Sequence, residues 1–319
     1  MLFFVHKVYM LEIGAKMMYN QLKQQNEAYH MKITEILNNG KINISCELFP
    51  PKLGSQLPDY RKLVGEMAKV RPSYMSVTYG ATGGTSDYTV DIANEVQNVN
   101  NIPALAHLTC VSSEEQKVSD VIEQLKAHNI NNILALRGDI PKNPVFEMPD
   151  RFHHASDLIY EIKKHGDFCI GGACYPEGHP EAGTIKYDIE HIKQKVDAGC
   201  DFLTTQMFFD NNILYNYMYK LMSAGINVPV VAGIMPITKA NQLGNVVDLT
   251  GNLVPSRFKA IVDRFGNNPK AMEQAGIAYA TEQIIDLAAN GINNIHIYTM
   301  NRPEIAAKIM ANLSEIRDK

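Results

Sequence analysis

The 319-residue sequence has no CxxC pair, no long run of lysine and arginine, and no apolar segment long enough to span a bilayer. The formal net charge of −4 and the missing basic run argue against a nucleic-acid partner. Most of the five cysteines lie in apolar runs, which indicates small buried thiols rather than metal ligands. Free thiols are typical of a reducing compartment. We therefore expect a cytoplasmic protein without a membrane segment.

The N-terminus also lacks the features of a signal peptide. Its apolar start is interrupted by His6 and Lys7, and no small-residue cleavage site follows. A group of methionines in the range Met10–Met31 raises the alternative that translation begins downstream. We expect residues 1–32 to form an N-terminal helical extension and residues 33–319 to form a single domain.

From Lys41 onward, short apolar runs alternate with amphipathic stretches. There are eight such runs: INISCELF, SYMSVTYG, PALAHLTCV, NNILALRGD, DFCIGGACY, DFLTTQMFFD, VPVVAGIMP and NNIHIYTMN. Residues 114–129 and 190–200 between them carry helical periodicity. This alternation predicts an α/β fold, a (β/α)8 TIM barrel, with extra helices at 238–290 between strands 7 and 8. An open doubly wound sheet is the alternative, although no GxGxxG segment follows a strand.

In such barrels the catalytic groups lie at the carboxyl ends of the strands. The polar residues at these positions are Glu47, Thr78, Tyr79, His107, Thr109, Arg137, Asp139, Tyr175, Glu177, His179, Glu181, Gln206, His296, Tyr298 and Arg302. They include no lysine, which disfavours Schiff-base chemistry at the mouth of the barrel.

Several of these residues allow a purely structural interpretation. Glu47 could pair with an arginine from a neighbouring strand, Asp139 could cap a turn, and His107 could be a satisfied core histidine. Together the three could also bind a divalent metal ion, although one histidine is thin support for such a site. The residues alone leave these alternatives open.

Eight segments together resemble one family, methylenetetrahydrofolate reductase. The segments are SCELFPPK, SVTYGATGG, AHLTCV, LALRGDIP, ACYPEGHPEA, KVDAGCDFLTTQMFFD, AGIMPI and HIYTMNR, in the family's order. The chain resembles the compact bacterial form, which consists of the catalytic barrel alone. The resemblance implies a flavoprotein in which NADH or NADPH reduces FAD. The reduced flavin then reduces methylenetetrahydrofolate in a ping-pong scheme that feeds methionine synthesis.

The resemblance also assigns roles to individual residues. Glu47 matches the general acid, whose pKa burial in an apolar strand should raise. Asp139 matches a catalytic aspartate beside the flavin and the pterin. Gln206, Gln242 and Arg302 match positions that bind the folate or the nicotinamide, and a guanidinium suits the anionic tail of folate. The family further suggests a homo-oligomer.

The FAD contacts implied by the resemblance are Thr78, His107, Leu136, Arg137, Gly138, Asp139, His154, Ala155, Tyr175, His179, Asp188, His191 and Lys195. Arg137 and Lys195 would supply positive charge to the cofactor. The chain departs from the family where His154 takes the place of a tyrosine, and where His191 and Gln194 replace an asparagine and an arginine.

Two other functions stay open at this point. One is a metal-dependent hydrolase or lyase, and the other is a folate- or flavin-binding subunit without activity of its own. The sequence does not choose between NADH and NADPH, because it carries no fingerprint for the adenosine phosphate.

Overall fold

The computed structural model describes residues 30–51, 54–79, 86–111, 113–140 and 150–317. Eight parallel strands close into a barrel in sequence order, from β1 to β8 and back to β1. The strands are β1 Asn43–Leu48, β2 Met75–Val77, β3 Ala104–Thr109, β4 Asn132–Leu136, β5 Cys169–Cys174, β6 Phe202–Thr205, β7 Val230–Ile234 and β8 Asn294–Ile297. The predicted (β/α)8 barrel is confirmed, and the open sheet is excluded.

Twelve α-helices lie within the described residues. They are α1 Ile33–Leu37, α2 Leu57–Ala68, α3 Ser86–Asn94, α4 Glu115–Ala127, α5 Ala155–Lys164, α6 Ile185–Asp197, α7 Asn211–Ser223, α8 Ala240–Thr250, α9 Ser256–Phe265, α10 Pro269–Ala289, α11 Pro303–Asn312 and α12 Ser314–Arg317. Helices α8 to α10 form the extra segment expected between strands 7 and 8. None of the helices seen in the described ranges combines the length and apolarity of a membrane span.

Helix α6 begins five residues before the stretch in which the sequence pattern indicated it. The reason is local, because the Thr184 side chain caps its first turn by accepting a 3.3 Å hydrogen bond from Tyr187 N. Ile185, Ile189, Ile192 and Val196 continue the helical spacing of apolar residues back to this cap. Most of the predicted N-terminal extension, residues 1–29, lies outside the described part of the chain.

Helix α1 closes the amino-terminal end of the barrel. The apolar residues that it shares with the lowest layer of the interior are Ile33, Ile36, Leu37, Tyr74, Leu105, Leu134, Cys169, Phe202 and Val231. Asparagines at the starts of three strands bind its main chain. Asn132 Oδ1 accepts from Ile33 N at 2.9 Å, Asn43 Nδ2 donates to Ile36 O at 2.9 Å, and Asn294 Nδ2 donates to Leu37 O at 3.2 Å.

The next layer of the interior is polar. His296 lies between two serines, with Ser45 Oγ 2.7 Å from its Nδ1 and Ser76 Oγ 3.1 Å from its Nε2. Burial lowers the pKa of His296 and of His107 to about 3, so both imidazoles are neutral. His296 lies at the end of β8, as expected, but its side chain is buried in the interior at the level of Ser45 and is not part of the mouth of the barrel.

Candidate active site

Glu47 is the central residue of the carboxyl-terminal layer of the barrel. It lies on β1, two residues beyond the inward-facing Ser45, and is 6% exposed. Its carboxyl has no hydrogen-bond or ion-pair partner among the described residues, and burial raises its pKa to about 8. A pairing arginine is not found there, since Arg137 and Arg302 form ion pairs with other carboxylates. This side chain is therefore a neutral acid at physiological pH.

The segment after β8 holds the strand that carries Glu47. Thr299 Oγ1 donates a 2.7 Å hydrogen bond to Glu47 O. Asn301 accepts from Phe49 N at 2.9 Å and donates to Phe49 O at 3.0 Å. Met300 and Asn301 adopt left-handed backbone conformations, with φ values of 52° and 57°, which turn the segment toward β1. The YTMNR and SCELF segments therefore form one structural unit.

Tyr298 extends this unit across the mouth of the barrel. Its hydroxyl donates a 2.6 Å hydrogen bond to Thr205 O on β6. Gly233 on β7 makes this crossing possible, because a Cβ at that position would lie 2.6 Å from the Tyr298 ring. Burial and then the nearby Glu47 carboxylate raise the pKa of Tyr298. Sequence reasoning placed Tyr298 at a strand end without assigning it to the site, although its alternation with His296 could have indicated an inward side chain.

Gln242 and Arg302, which lie 60 positions apart in the sequence, meet at Thr238. Gln242 Oε1 accepts from Thr238 N and Lys239 N, both at 2.9 Å, and Arg302 Nη1 donates to Thr238 Oγ1 at 2.7 Å. With Tyr298 they line one cleft. Thr238 was not predicted as a site residue, because its role depends on contacts made after folding.

Arg302 is already engaged by two carboxylates. Its Nη2 lies 2.8 Å from Glu273 Oε2, and its Nε lies 2.8 Å from Glu304 Oε1. An anionic ligand would therefore have to share or displace these partners.

Gln206 follows β6 and presents its amide in one orientation. Its Oε1 accepts a 3.0 Å hydrogen bond from Met207 N, and its own main-chain N donates to Cys174 O at 2.7 Å. A main-chain N–H can only donate, so the amide oxygen must face Met207 and the NH2 group is left for a ligand. The same reasoning applies to Gln242. Both glutamines are thus hydrogen-bond donors suited to acceptor atoms on a ligand.

A first group of the predicted cofactor residues follows β4 and β5. Arg137 binds Glu181 through two hydrogen bonds of 2.6 and 2.9 Å, and the Tyr175 and His179 rings lie 4.5 Å apart. Burial and then the Asp139 charge raise the pKa of Tyr175 to about 12. Asp139 itself is exposed.

A second group lies on α5 and α6. Lys195 Nζ donates a 2.8 Å hydrogen bond to Ala173 O, and burial lowers its pKa, whereas burial raises the pKa of Asp188. His154, directly before Ala155 at the start of α5, stacks on His191 with 5.8 Å between the ring centroids.

The remaining cofactor candidates lie where β2, β3 and β4 end. Thr78 follows β2 and donates from its main-chain N to Leu48 O at 2.9 Å. Leu136 is the last residue of β4, and Gly138 lies two residues beyond it. Gly138 has a φ of +88°, and a Cβ added there would lie 3.0 Å from the Thr109 side chain. A side chain at Gly138 would therefore be strained and crowded.

Buried polar atoms without partners test whether these residues fit a cofactor. His107 Nε2 and Asp188 Oδ2 are both buried and have no hydrogen-bond partner in the described structure. Such atoms are costly unless a ligand or water satisfies them. His107 is therefore a buried histidine with one ring nitrogen that no described residue satisfies. The two atoms, with the cationic Arg137 and Lys195, fit a large polar anionic ligand such as FAD.

A metal centre is not assembled in the part of the chain that the structure describes. No three His, Cys, Asp or Glu residues there are grouped as metal ligands. Glu47, His107 and Asp139 therefore do not form the alternative metal site.

Comparison with known proteins identifies the family. The family described as methylenetetrahydrofolate reductase matches residues 32–314. A 5,10-methylenetetrahydrofolate reductase from Pectobacterium carotovorum subsp. carotovorum is 32% identical over 289 residues, covering 91% of this chain and 95% of that protein. Methylenetetrahydrofolate reductase (NADH) 1 from Zea mays is 35% identical over 300 residues, and the match spans 90% of this chain and 51% of that protein.

A solved structure shows the same fold at lower identity. It is described as an uncharacterized protein from Clostridium thermocellum that binds two copies of 5-methyl-5,6,7,8-tetrahydrofolic acid. Its TM-score is 0.62 at 16% identity, covering 90% of this chain and 99% of that chain. The resemblance inferred from the sequence is thus confirmed, and the chain belongs to the methylenetetrahydrofolate reductase family.

Proposed function

We propose that the chain reduces 5,10-methylenetetrahydrofolate to 5-methyltetrahydrofolate, with FAD as cofactor and NADH or NADPH as the electron donor. The observation that carries the proposal is the isolated Glu47 carboxyl, whose pKa burial raises to about 8. Such a group holds a proton at neutral pH and can give it to a substrate. Membership of the family supports the choice of substrate.

Glu47 would act as the general acid. The five-membered ring of the substrate is a poor hydride acceptor until N10 is protonated. Protonation opens the ring to an iminium on N5, whose carbon then accepts hydride. Positioned proton transfer typically contributes roughly 100- to 10,000-fold to a rate. Only the folate half of the reaction needs this proton.

The residues of β4, β5, α5 and α6 would hold FAD, with Arg137 and Lys195 as cations and Asp188 as a hydrogen-bond acceptor. When bound, FAD supplies reversible hydride transfer, which a ping-pong exchange between nicotinamide and folate requires. The exposed Asp139 carboxylate would lie beside the flavin and pterin.

The side-chain NH2 groups of Gln206 and Gln242 would donate hydrogen bonds to acceptor atoms of the folate or the nicotinamide. Arg302 would bind the anionic tail of folate, in competition with Glu273 and Glu304. Four further points stay predictions from the sequence. They are a homo-oligomer, a cytoplasmic location, a role in methionine synthesis and a single domain over 33–319.

The test separates the two halves of the reaction. In Glu47→Gln, oxidation of NADH or NADPH with a quinone acceptor should continue, whereas folate reduction should fall at least about 100-fold, since the acid is lost. The matched control is Glu177→Gln, which alters a partly buried glutamate that accepts a hydrogen bond from Leu253 N at 2.8 Å. An equal loss in both halves would contradict the role of Glu47. A purified chain that neither binds FAD nor oxidises the nucleotide would refute the proposed function.

A further inference from the structure

Three consecutive main-chain carbonyls after β6 are bound by side chains from the helical insert between β7 and β8. Asn252 Nδ2 donates to Met207 O. Gln283 Nε2 donates to Phe208 O at 3.3 Å, and the Tyr279 hydroxyl donates to Phe209 O at 2.7 Å. The donors come from α10 and from the loop between α8 and α9. The insert therefore contacts the segment that follows Gln206 through directed hydrogen bonds as well as apolar packing.

The bond to Phe208 O is buried, and the other two are partly buried. Asn252 and Gln283 are buried, and the Tyr279 ring stacks on Phe258 with 4.1 Å between centroids. Phe258 in turn lies 5.3 Å from the Phe209 ring. A buried carbonyl that loses its donor is left unsatisfied, so the segment has little freedom to move while the three donors are present.

From these contacts we propose that Asn252, Tyr279 and Gln283 are positioning residues that fix the side chain of Gln206. The link is residue Met207, because its N–H donates to Gln206 Oε1 while its carbonyl, in the next peptide group, accepts from Asn252. The insert thereby keeps the Gln206 NH2 group facing the ligand. This inference rests on the proposed function, in which Gln206 binds one of the two substrates. It deepens that function by naming the residues that orient Gln206 toward this substrate.

Loss of the hydrogen bonds from Asn252, Tyr279 and Gln283 has a defined chemical consequence. If the main chain at Met207 shifts, Gln206 loses the hydrogen bond that orients its amide, and the amide can turn to present oxygen instead of NH2. A ligand atom that accepts a hydrogen bond would then meet an acceptor. Substrate affinity should fall, whereas protonation by Glu47, whose main chain is held by Thr299 after β8, should not depend on this orientation.

The test uses Tyr279→Phe in the full chain, with Tyr215→Phe as the matched control. The Tyr215 hydroxyl donates to Asp286 Oδ2 at 2.6 Å and so also joins α10 to a neighbouring element, here α7, but it does not touch the three carbonyls. Hydrogen–deuterium exchange of a peptide covering 205–210 should become faster in Tyr279→Phe and stay as in the wild type in Tyr215→Phe. Equal exchange in the two variants would overturn the proposal.

Kinetics in the FAD-loaded enzyme supply the second readout. Gln206→Leu first identifies which substrate Gln206 binds, by its rise in KM. Tyr279→Phe should raise KM for that same substrate by about 2- to 10-fold, the range expected for one hydrogen bond, with kcat nearly unchanged. In the Gln206→Leu background the same change should have no further effect on KM.

Several outcomes would count against the proposal. An undiminished effect of Tyr279→Phe in the Gln206→Leu background would overturn it, as would a rise in KM for the other substrate. A wild-type chain without reductase activity would refute the proposed function instead. The exchange measurement would then still decide whether the insert fixes the segment after β6.

Discussion

The hydroxyl of Thr299 donates a 2.7 Å hydrogen bond to the main-chain carbonyl of Glu47, although 252 residues separate them in the sequence. Strand β8 pairs with β1 to close the barrel, and this bond lies just beyond the paired residues Cys46 and Ile297. The segment that follows the last strand therefore holds the main chain of the acid carried by the first strand. Both residues are buried, so the bond is not in competition with water.

We expect Thr299→Val to weaken folate reduction more than quinone-dependent oxidation of the nucleotide. The change keeps the side-chain shape but leaves Glu47 O without its donor, so the acid should lose part of its alignment. The expected fall in folate turnover is about 10-fold, the effect of roughly 1.4 kcal/mol in the barrier. Steady-state rates of the two half-reactions give the measurement.

The control for this prediction is Thr281→Val on α10. Its hydroxyl also donates to a main-chain carbonyl, that of Ile277, at 2.8 Å, but within its own helix. A similar loss in both variants would indicate general destabilisation and not a specific effect on Glu47.

The free energy of unfolding should depend on pH because of Glu47. Burial raises its pKa from 4.5 to about 8, so the folded chain keeps a proton that the unfolded chain releases. This contribution to stability is full below pH about 4.5 and is lost progressively as the pH rises to about 8. The glutamine in Glu47→Gln does not titrate, so the Tm of the variant minus that of the wild type should increase from pH 5 to pH 8. A constant difference in Tm across this window would argue against the buried acid.

Gly233→Ala should disturb the site through Tyr298. An added Cβ would lie 2.4 Å from Thr205 O and 2.6 Å from the Tyr298 ring, so the hydroxyl could not keep its bond to Thr205. We expect a loss of about 1–3 kcal/mol in the free energy of unfolding, as for other overpacked cores. Urea denaturation measures it.

Gly244→Ala on α8 is the matched control, since nothing lies within 4 Å of its added Cβ. That change should stabilise the helix by about 0.5–1 kcal/mol, because alanine loses less backbone freedom than glycine. Equal effects of the two substitutions would contradict the proposed crowding at Gly233.

Asn132→Leu should detach α1 from the bottom of the barrel. The Ile33 N–H would lose its acceptor inside the protein, at a cost of about 1–3 kcal/mol in the free energy of unfolding. KM and kcat should stay near wild type, because α1 lies at the end opposite the candidate site. Asn227→Leu, at an exposed asparagine, is the control and should be nearly neutral. A large change in KM would contradict this prediction, because it would show that helix α1 and the candidate site are coupled.

The barrel could be predicted from the sequence because its physical signals are local. Eight apolar runs separated by amphipathic stretches specify parallel strands covered on both faces, and the polar residues that end those runs indicate one edge. Glu47 stood out for the same reason, as a single carboxylate in an apolar strand. The start of α6 was placed too late, although Ile185 and Ile189 continue the helical spacing of Ile192 and Val196 back to the cap at Thr184.

What only the tertiary structure decided depends on contacts between residues far apart in the chain. No sequence pattern shows that Thr299 holds Glu47, that Tyr298 crosses to Thr205 through the space left by Gly233, or that Tyr279 binds Phe209. His296 ends an apolar run like the other candidates, yet strand register places it between Ser45 and Ser76 in the interior. The sequence by itself determined which chemical groups end the strands. The closure of the barrel decided which of them are buried, and thereby which carboxyl stays protonated and which glutamine oxygens are held by main-chain N–H groups.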